Sequence, residues 1–163
     1  MAWLPGPFLR RLPETIRPQL PAAFGPLDSS PLPSSPPLLL LPLQMKVRGH
    51  LLQLWYGPDA TIHYEIWIHE RTQQLELGLH CEADTALNAR LKRELSFCLF
   101  EIKHTLGNGV ELEEWDRGWT RLYETHTLYP LDEARLTEIG ERTGLFVRTI
   151  QPIYMEIRER LSR

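Results

Sequence analysis

Cysteine is scarce in this chain: only Cys81 and Cys98 occur among 163 residues. Both fall on apolar periodic positions, where a free thiol packs as a small hydrophobe. A disulfide scaffold is excluded, and a reducing compartment, the cytoplasm, is the expected setting. Long hydrophobic runs are also lacking. None exceeds four residues; Leu38 to Leu41, bracketed by Pro37 and Pro42, falls far short of the roughly 18 residues that cross a bilayer, so no membrane partner is expected. A secretory signal would place its apolar segment directly after a basic start, and here some thirty mixed residues intervene. There is no excess of positive charge, with 18 Lys and Arg against 21 Asp and Glu. Nucleic acid is therefore not an expected partner. No serine or cysteine sits in a nucleophile-elbow pattern. Gly107 and Gly109 stop a helix instead of starting one, which leaves no phosphate loop.

Proline is abundant but confined. Eleven of the 14 prolines lie in residues 1–44, where the only charges are Arg10, Arg11, Glu14, Arg17 and Asp28. That density removes backbone donors and fixes φ, so residues 1–44 read as a disordered or extended leader; a helix over Phe8 to Leu20 is opposed by Pro13 and Pro18. Two origins of the leader are open: a flexible tail, or an upstream extension with Met45 as the true start. Ordinary globular composition begins at Met45, and residues 45–163 are long enough for one α+β domain of about 120 residues.

Within that domain Lys46 to Tyr56 reads as a first strand, closed by Gly57-Pro58-Asp59. Ile62, Tyr64, Ile66 and Ile68 alternate with His63, Glu65, Trp67 and His69, and Leu75, Leu77, Leu79 and Cys81 alternate with polar residues after a loop at Glu70 to Gln73. The two segments predict a hairpin in which Ile68 faces Leu75, since a slip by one residue would mix the faces. Asp84 caps a helix from Thr85 to Leu106 whose stripe is Leu87, Leu91, Leu95, Cys98, Ile102 and Leu106. Short strands at Val110 to Glu114 and Trp119 to Thr125 follow. A last helix begins at Pro130 and keeps its stripe through Leu136, Ile139, Phe146, Ile150, Ile153, Ile157 and Leu161, which predicts one helix kinked at Pro152. The expected fold is a five-stranded, mainly antiparallel sheet in the order β-β-β-α-β-β-α, with one face covered by two helices.

The hairpin register places His63 opposite His80 on the polar face and gathers His63, Glu65, His80 and Glu82. Imidazole and carboxylate in cross-strand reach suit a divalent transition metal. Against this stands the ordinary wet face of an antiparallel sheet, where His and Glu need no ligand and no cofactor. Glu101-Ile102-Lys103, with Asp84 upstream, resembles the acid-and-lysine half of a PD-(D/E)xK nuclease core, but residues two apart on a helix point about 200° from each other. The acidic run Glu111, Glu113, Glu114, Asp116 has the alternation of an exposed strand face and lacks a calcium loop's glycine.

Aromatic residues mark possible binding surfaces. Phe97 and Phe100 project from the back of the first long helix, and Trp67 shares the polar hairpin face with the histidines. The final helix is longer than one small core requires, so its distal residues Ile157 and Leu161 fold back onto the same sheet or meet a second copy in a homodimer.

The order of elements over residues 45–163 resembles the small secretion-chaperone-like fold, which implies an antiparallel sheet flanked by helices and frequent dimers. The passage Phe100 to Tyr123, with Leu106-Gly107, Val110-Glu111-Leu112-Glu113, Trp115 and Arg121-Leu122, is similar to part of an uncharacterised domain appended to restriction-type nucleases, which implies an accessory role. Two functional readings follow: a non-catalytic interaction or chaperone-like module for a protein or small ligand, or a metal-dependent hydrolase using the hairpin His and Glu residues.

Overall fold

The computed structural model describes residues 3–24 and 41–163. Helix α1 spans Pro5–Ile16 and is followed by a 3-10 turn at Arg17–Gln19 and strand β1 (Ala23–Phe24). Strands β2 (Leu41–Arg48), β3 (Leu51–Tyr56), β4 (Ile62–His69) and β5 (Gln74–Cys81) precede helix α2 (Thr85–Leu106). Strand β6 (Glu111–Glu114), a 3-10 turn at Asp116–Gly118, strand β7 (Thr120–Thr127) and helix α3 (Glu133–Leu161) complete the chain. The sheet is antiparallel throughout, in the order β1-β2-β3-β4-β5-β7-β6.

The fold is α+β as expected, but the sheet has seven strands instead of five. One of the two additions comes from Lys46 to Tyr56, which is a hairpin and not one strand. The chain reverses at Gly49, whose φ of 51° is left-handed, so that Val47 pairs with Leu52. The other is β1, which comes from the leader.

The leader departs from expectation more widely. Residues 5–16 are helical and contribute Phe8, Leu9, Leu12 and Ile16 to the hydrophobic core, all fully buried. Pro5 stands in the first turn, where a missing N–H costs nothing. Pro13 costs roughly 3 kcal/mol in a helix interior. Four large apolar side chains at about 1.5–3 kcal/mol each outweigh that. Helix α1 packs on α3, fastened midway by the Arg11–Glu133 ion pair (2.8 Å) and, just before its first turn, by the Trp3 N–H donating to the Leu131 carbonyl (2.6 Å). Residues 41–44 of the proposed leader open strand β2, ahead of the expected boundary at Met45, and residues 25–40 lie outside the described residues.

The hairpin of β4 and β5 has the predicted register: Ile68 faces Leu75, Ile66 faces Leu77 and His63 faces His80. Its apolar parity, joined by Leu52, Leu54 and Leu122, is buried beneath the helices. Tyr64 of β4 meets Phe146 of α3 edge to face, with ring centres 6.3 Å apart. Asp84 caps α2 by accepting from the Leu87 N–H, and Asp132 caps α3 by accepting from the Arg135 N–H, each at 2.9 Å. Helix α3 thus starts after Pro130 and continues unbroken through Pro152. Three helices, not two, serve this face, since α1 packs on α3. The opposite face of the sheet carries the polar parity and the candidate site.

Candidate metal centre

His63, Glu65, Glu76 and His80 point away from the helices, yet each is almost completely buried. Ion pairs and a tryptophan lid replace a helical layer here. The Trp115 ring lies edge-on to the His80 ring at 5.3 Å and 6.0 Å from Trp67, and Arg121 lies over Trp115 at 5.0 Å. Trp115 breaks the strand alternation because the chain turns at once: its N–H donates to the Trp119 carbonyl, and Arg117 and Gly118 take positive φ. Gly78 sits between His80 and Glu76 on β5 and opposite Glu65 on β4. A Cβ there would meet Tyr123 Cβ at 2.8 Å, so only glycine lets β7 approach this closely.

The two imidazoles are oriented from outside the cluster. His63 Nδ1 lies 2.9 Å from the Ala60 carbonyl, which can only accept, so this nitrogen carries a proton and neutral His63 presents a lone pair at Nε2. His80 Nε2 lies 3.2 Å from Glu76 Oε1, which fixes its proton in the same way and leaves Nδ1 facing inward. Glu76 is itself held by Arg121, at 2.8 Å. The two inward nitrogens converge on one atom: Glu82 Oε1 is 4.0 Å from His63 Nε2 and 3.8 Å from His80 Nδ1. His80 Nδ1 is buried and has no hydrogen-bond partner.

Burial works against a charged His80 ring, but the carboxylates of Glu76, Glu82 and Glu65 outweigh it and raise the pKa from 6.5 to about 9. Burial likewise pushes Glu65 and Glu76 upward. Their bonds to His63 and His80 respectively, with the further charges and donors nearby, hold both below the ordinary carboxyl value. Without a metal, therefore, the surrounding carboxylates favour the charged form of the His80 ring.

Of the four residues expected as ligands, three come together. Among the described residues, ligand atoms of His63, His80 and Glu82 all lie within 4.8 Å of one another. Glu65 stands beside them, 3.4 Å from His63 Nε2, but is engaged by Gln53, whose amide nitrogen lies 2.9 Å from Glu65 Oε2 and 3.0 Å from His63 Nε2. Tetrahedral zinc with bonds of about 2.0–2.1 Å needs ligand atoms about 3.4 Å apart. The two distances to Glu82, 4.0 and 3.8 Å, exceed that by roughly half an ångström, so binding would draw the three side chains inward and release Gln53 from His63.

The predicted binding residues occupy other surroundings. Trp67 is half-buried in the lid, 4.1 Å from the His69 ring. Phe97 and Phe100 are 73% and 86% exposed on α2. Ile157 is fully buried within one chain and Leu161 packs against the same core, so the distal stripe is covered by its own sheet and helices. The nuclease-like triplet dissolves, since Glu101 and Lys103 lie in α2 and Asp84 is its cap. In the acidic run, Glu113 pairs with Arg121 and Glu114 with Lys92. Residues missed from sequence, Gln53, Glu76, Trp115 and Arg121, all orient or cover the histidines. Glu76 had the right parity on β5, whereas Gln53 and Arg121 come from strands whose register no local pattern specified.

No protein-family model matches the chain, and no curated protein or solved structure matches it. Among the described residues, no helix is long and apolar enough to cross a membrane.

Proposed function

We propose that this protein is a non-catalytic binding module whose sheet is fastened by a divalent transition metal between His63, His80 and Glu82. One observation carries the reading: each imidazole has its outer nitrogen held by an acceptor and its inner nitrogen turned toward the same carboxylate oxygen. Metal-ligating histidines are oriented in this way, by a carbonyl or carboxylate on the far nitrogen. Burial under Trp115 favours a structural ion over one that must admit a substrate. The exposed Phe97 and Phe100 supply the surface through which the module would meet a protein partner.

Elemental analysis of the native protein tests the metal. We expect about one equivalent of zinc or a similar ion, lost in His80→Ala, and a metal-free protein with no saturable zinc binding would overturn the reading. Binding should release a proton, because the ion displaces the one on His80 Nδ1. That release is measured by titrating zinc in buffers of different ionisation enthalpy.

A second reading, a metal-dependent hydrolase, rests on Glu65, whose carboxylate stands 3.4 Å from His63 as a general base would. The Glu65→Gln variant separates the two. Retained metal with lost hydrolysis of ester or phosphoester substrates makes Glu65 a base, and lost metal makes it a fourth ligand.

A further inference from the structure

On the helix side of the sheet, across it from the histidines, a cavity of about 270 Å³ opens between β4 and the last three turns of α3. Its walls are apolar or aromatic, from Ile62, Leu79, Tyr56 and Tyr154. Three polar side chains interrupt them, Gln151, Arg158 and Asp59. Gln151 is 4% exposed, and one atom of its amide is taken by the Tyr64 hydroxyl at 2.9 Å. The other amide atom has no partner among the described residues, although the side chain lines the cavity. Arg158 lines the same cavity and forms no ion pair among the described residues. Asp59, also at the rim, is exposed and accepts from the Thr61 backbone N–H, an Asx turn that closes the β3–β4 loop.

Cavities lined only by apolar groups stay dry, so an amide presented to an aromatic cavity gives a ligand there a polar contact that fixes its orientation. Gln151, Tyr154 and Arg158 follow one another at steps of three and four residues and share one face of α3. Seven residues of helix put the amide and the guanidinium about 10 Å apart along the axis, with Tyr154 between them. The complementary molecule has a hydrogen-bonding group at one end, a flat apolar middle and an anion at the other.

We propose that this cavity is a binding site for a small aromatic carboxylate, its ring against Tyr154, its far polar group on Gln151 and its carboxylate on Arg158. The site is independent of the metal centre, which lies on the other face of the sheet.

The probes are 4-hydroxyphenylacetate, tyramine and tyrosol, which share a ring and differ in charge, titrated into the full chain by NMR. Saturable binding of 4-hydroxyphenylacetate is expected, weakened about tenfold in Arg158→Gln, the loss of one charge-assisted contact. Arg160→Gln is the control: Arg160 pairs with Glu94 at 3.5 Å, and its variant should bind as the parent does. Replacing 4-hydroxyphenylacetate by phenylacetate removes the group that Gln151 would meet and should also weaken binding. Equal binding of tyrosol, tighter binding of tyramine, an unaffected Arg158→Gln protein, or no saturable binding at millimolar probe would each overturn the proposal. Unchanged thermal unfolding of the two arginine variants excludes misfolding as the cause of a loss.

Discussion

Glu124 lies on the helix-covered parity of β7, facing Leu77, a place where a carboxylate needs partners. Arg142 of α3 supplies two donors, at 2.7 and 2.5 Å, and also donates to the Leu106 carbonyl, one of the unpaired carbonyls ending α2. One side chain thus ties β7, α2 and α3. Burial raises the Glu124 pKa, but bonds from Arg142 and His126 hold it below the ordinary 4.5. A lowered carboxyl pKa stabilises the fold above about 4.5, and that contribution is lost as pH falls through the native value. Glu124→Gln should therefore cost about 2 kcal/mol at neutral pH and make the acid limb of the stability profile shallower. Urea unfolding at a series of pH values measures both, and an acid limb of the same slope would remove Glu124 from the account. His63 and His80 were legible at this scale, because unbroken alternation on two strands allows one register. Their supporting residues were not, since a side chain two strands away is placed by pairings that no single segment encodes.

At the scale of elements, the docking of α1 depends on what α3 lacks. A Cβ at Gly140 would come 2.5 Å from Thr15 Oγ1, and one at Gly144 would come 2.5 Å from Gln19 Cβ. The two glycines open a notch in which the segment around Thr15 and Gln19 lies against α3. Gly140→Leu should expel α1 while favouring α3 itself, because leucine is the better helix former. Trypsin reads the result: the bonds after Arg10 and Arg11 should be cut slowly in the parent and rapidly in the variant, and equal rates would show that α1 is not held by this notch. Phe8→Ala tests the same docking from the other side and should cost about 3–5 kcal/mol of global stability. Paired glycines within a helical pattern are a sequence signal for close packing. The stripe Phe8, Leu9, Leu12 and Ile16 is another. The helix over Phe8 to Leu20 was outweighed by proline density, a property of the segment as a whole that says nothing about which prolines fall where a helix tolerates them. The β2–β3 reversal was hidden for a related reason, since one glycine inside a strand-like run is a weaker mark than a two-residue turn.

For the whole molecule, the distribution of apolar surface decides where a second chain could attach. The long α3 suggested a distal stripe in need of cover, but the stripe continues over the chain's own sheet, and Ile157 is fully buried there. The large exposed apolar groups on α2, Phe97 and Phe100, lie elsewhere. A carboxylate at position 157 would be buried without a partner, which costs several kcal/mol by any route and does so inside one chain. Ile157→Asp should therefore lower the melting temperature by the same amount at every protein concentration, whereas Phe97→Ser with Phe100→Ser should leave melting nearly unchanged and reduce whatever self-association sedimentation detects. The concentration dependence carries the distinction, because only a contact between copies obeys mass action. A melting temperature of the Ile157→Asp protein that climbs with concentration would place residue 157 at an interface after all, and would mean that the distal half of α3 leaves its own core to meet a partner.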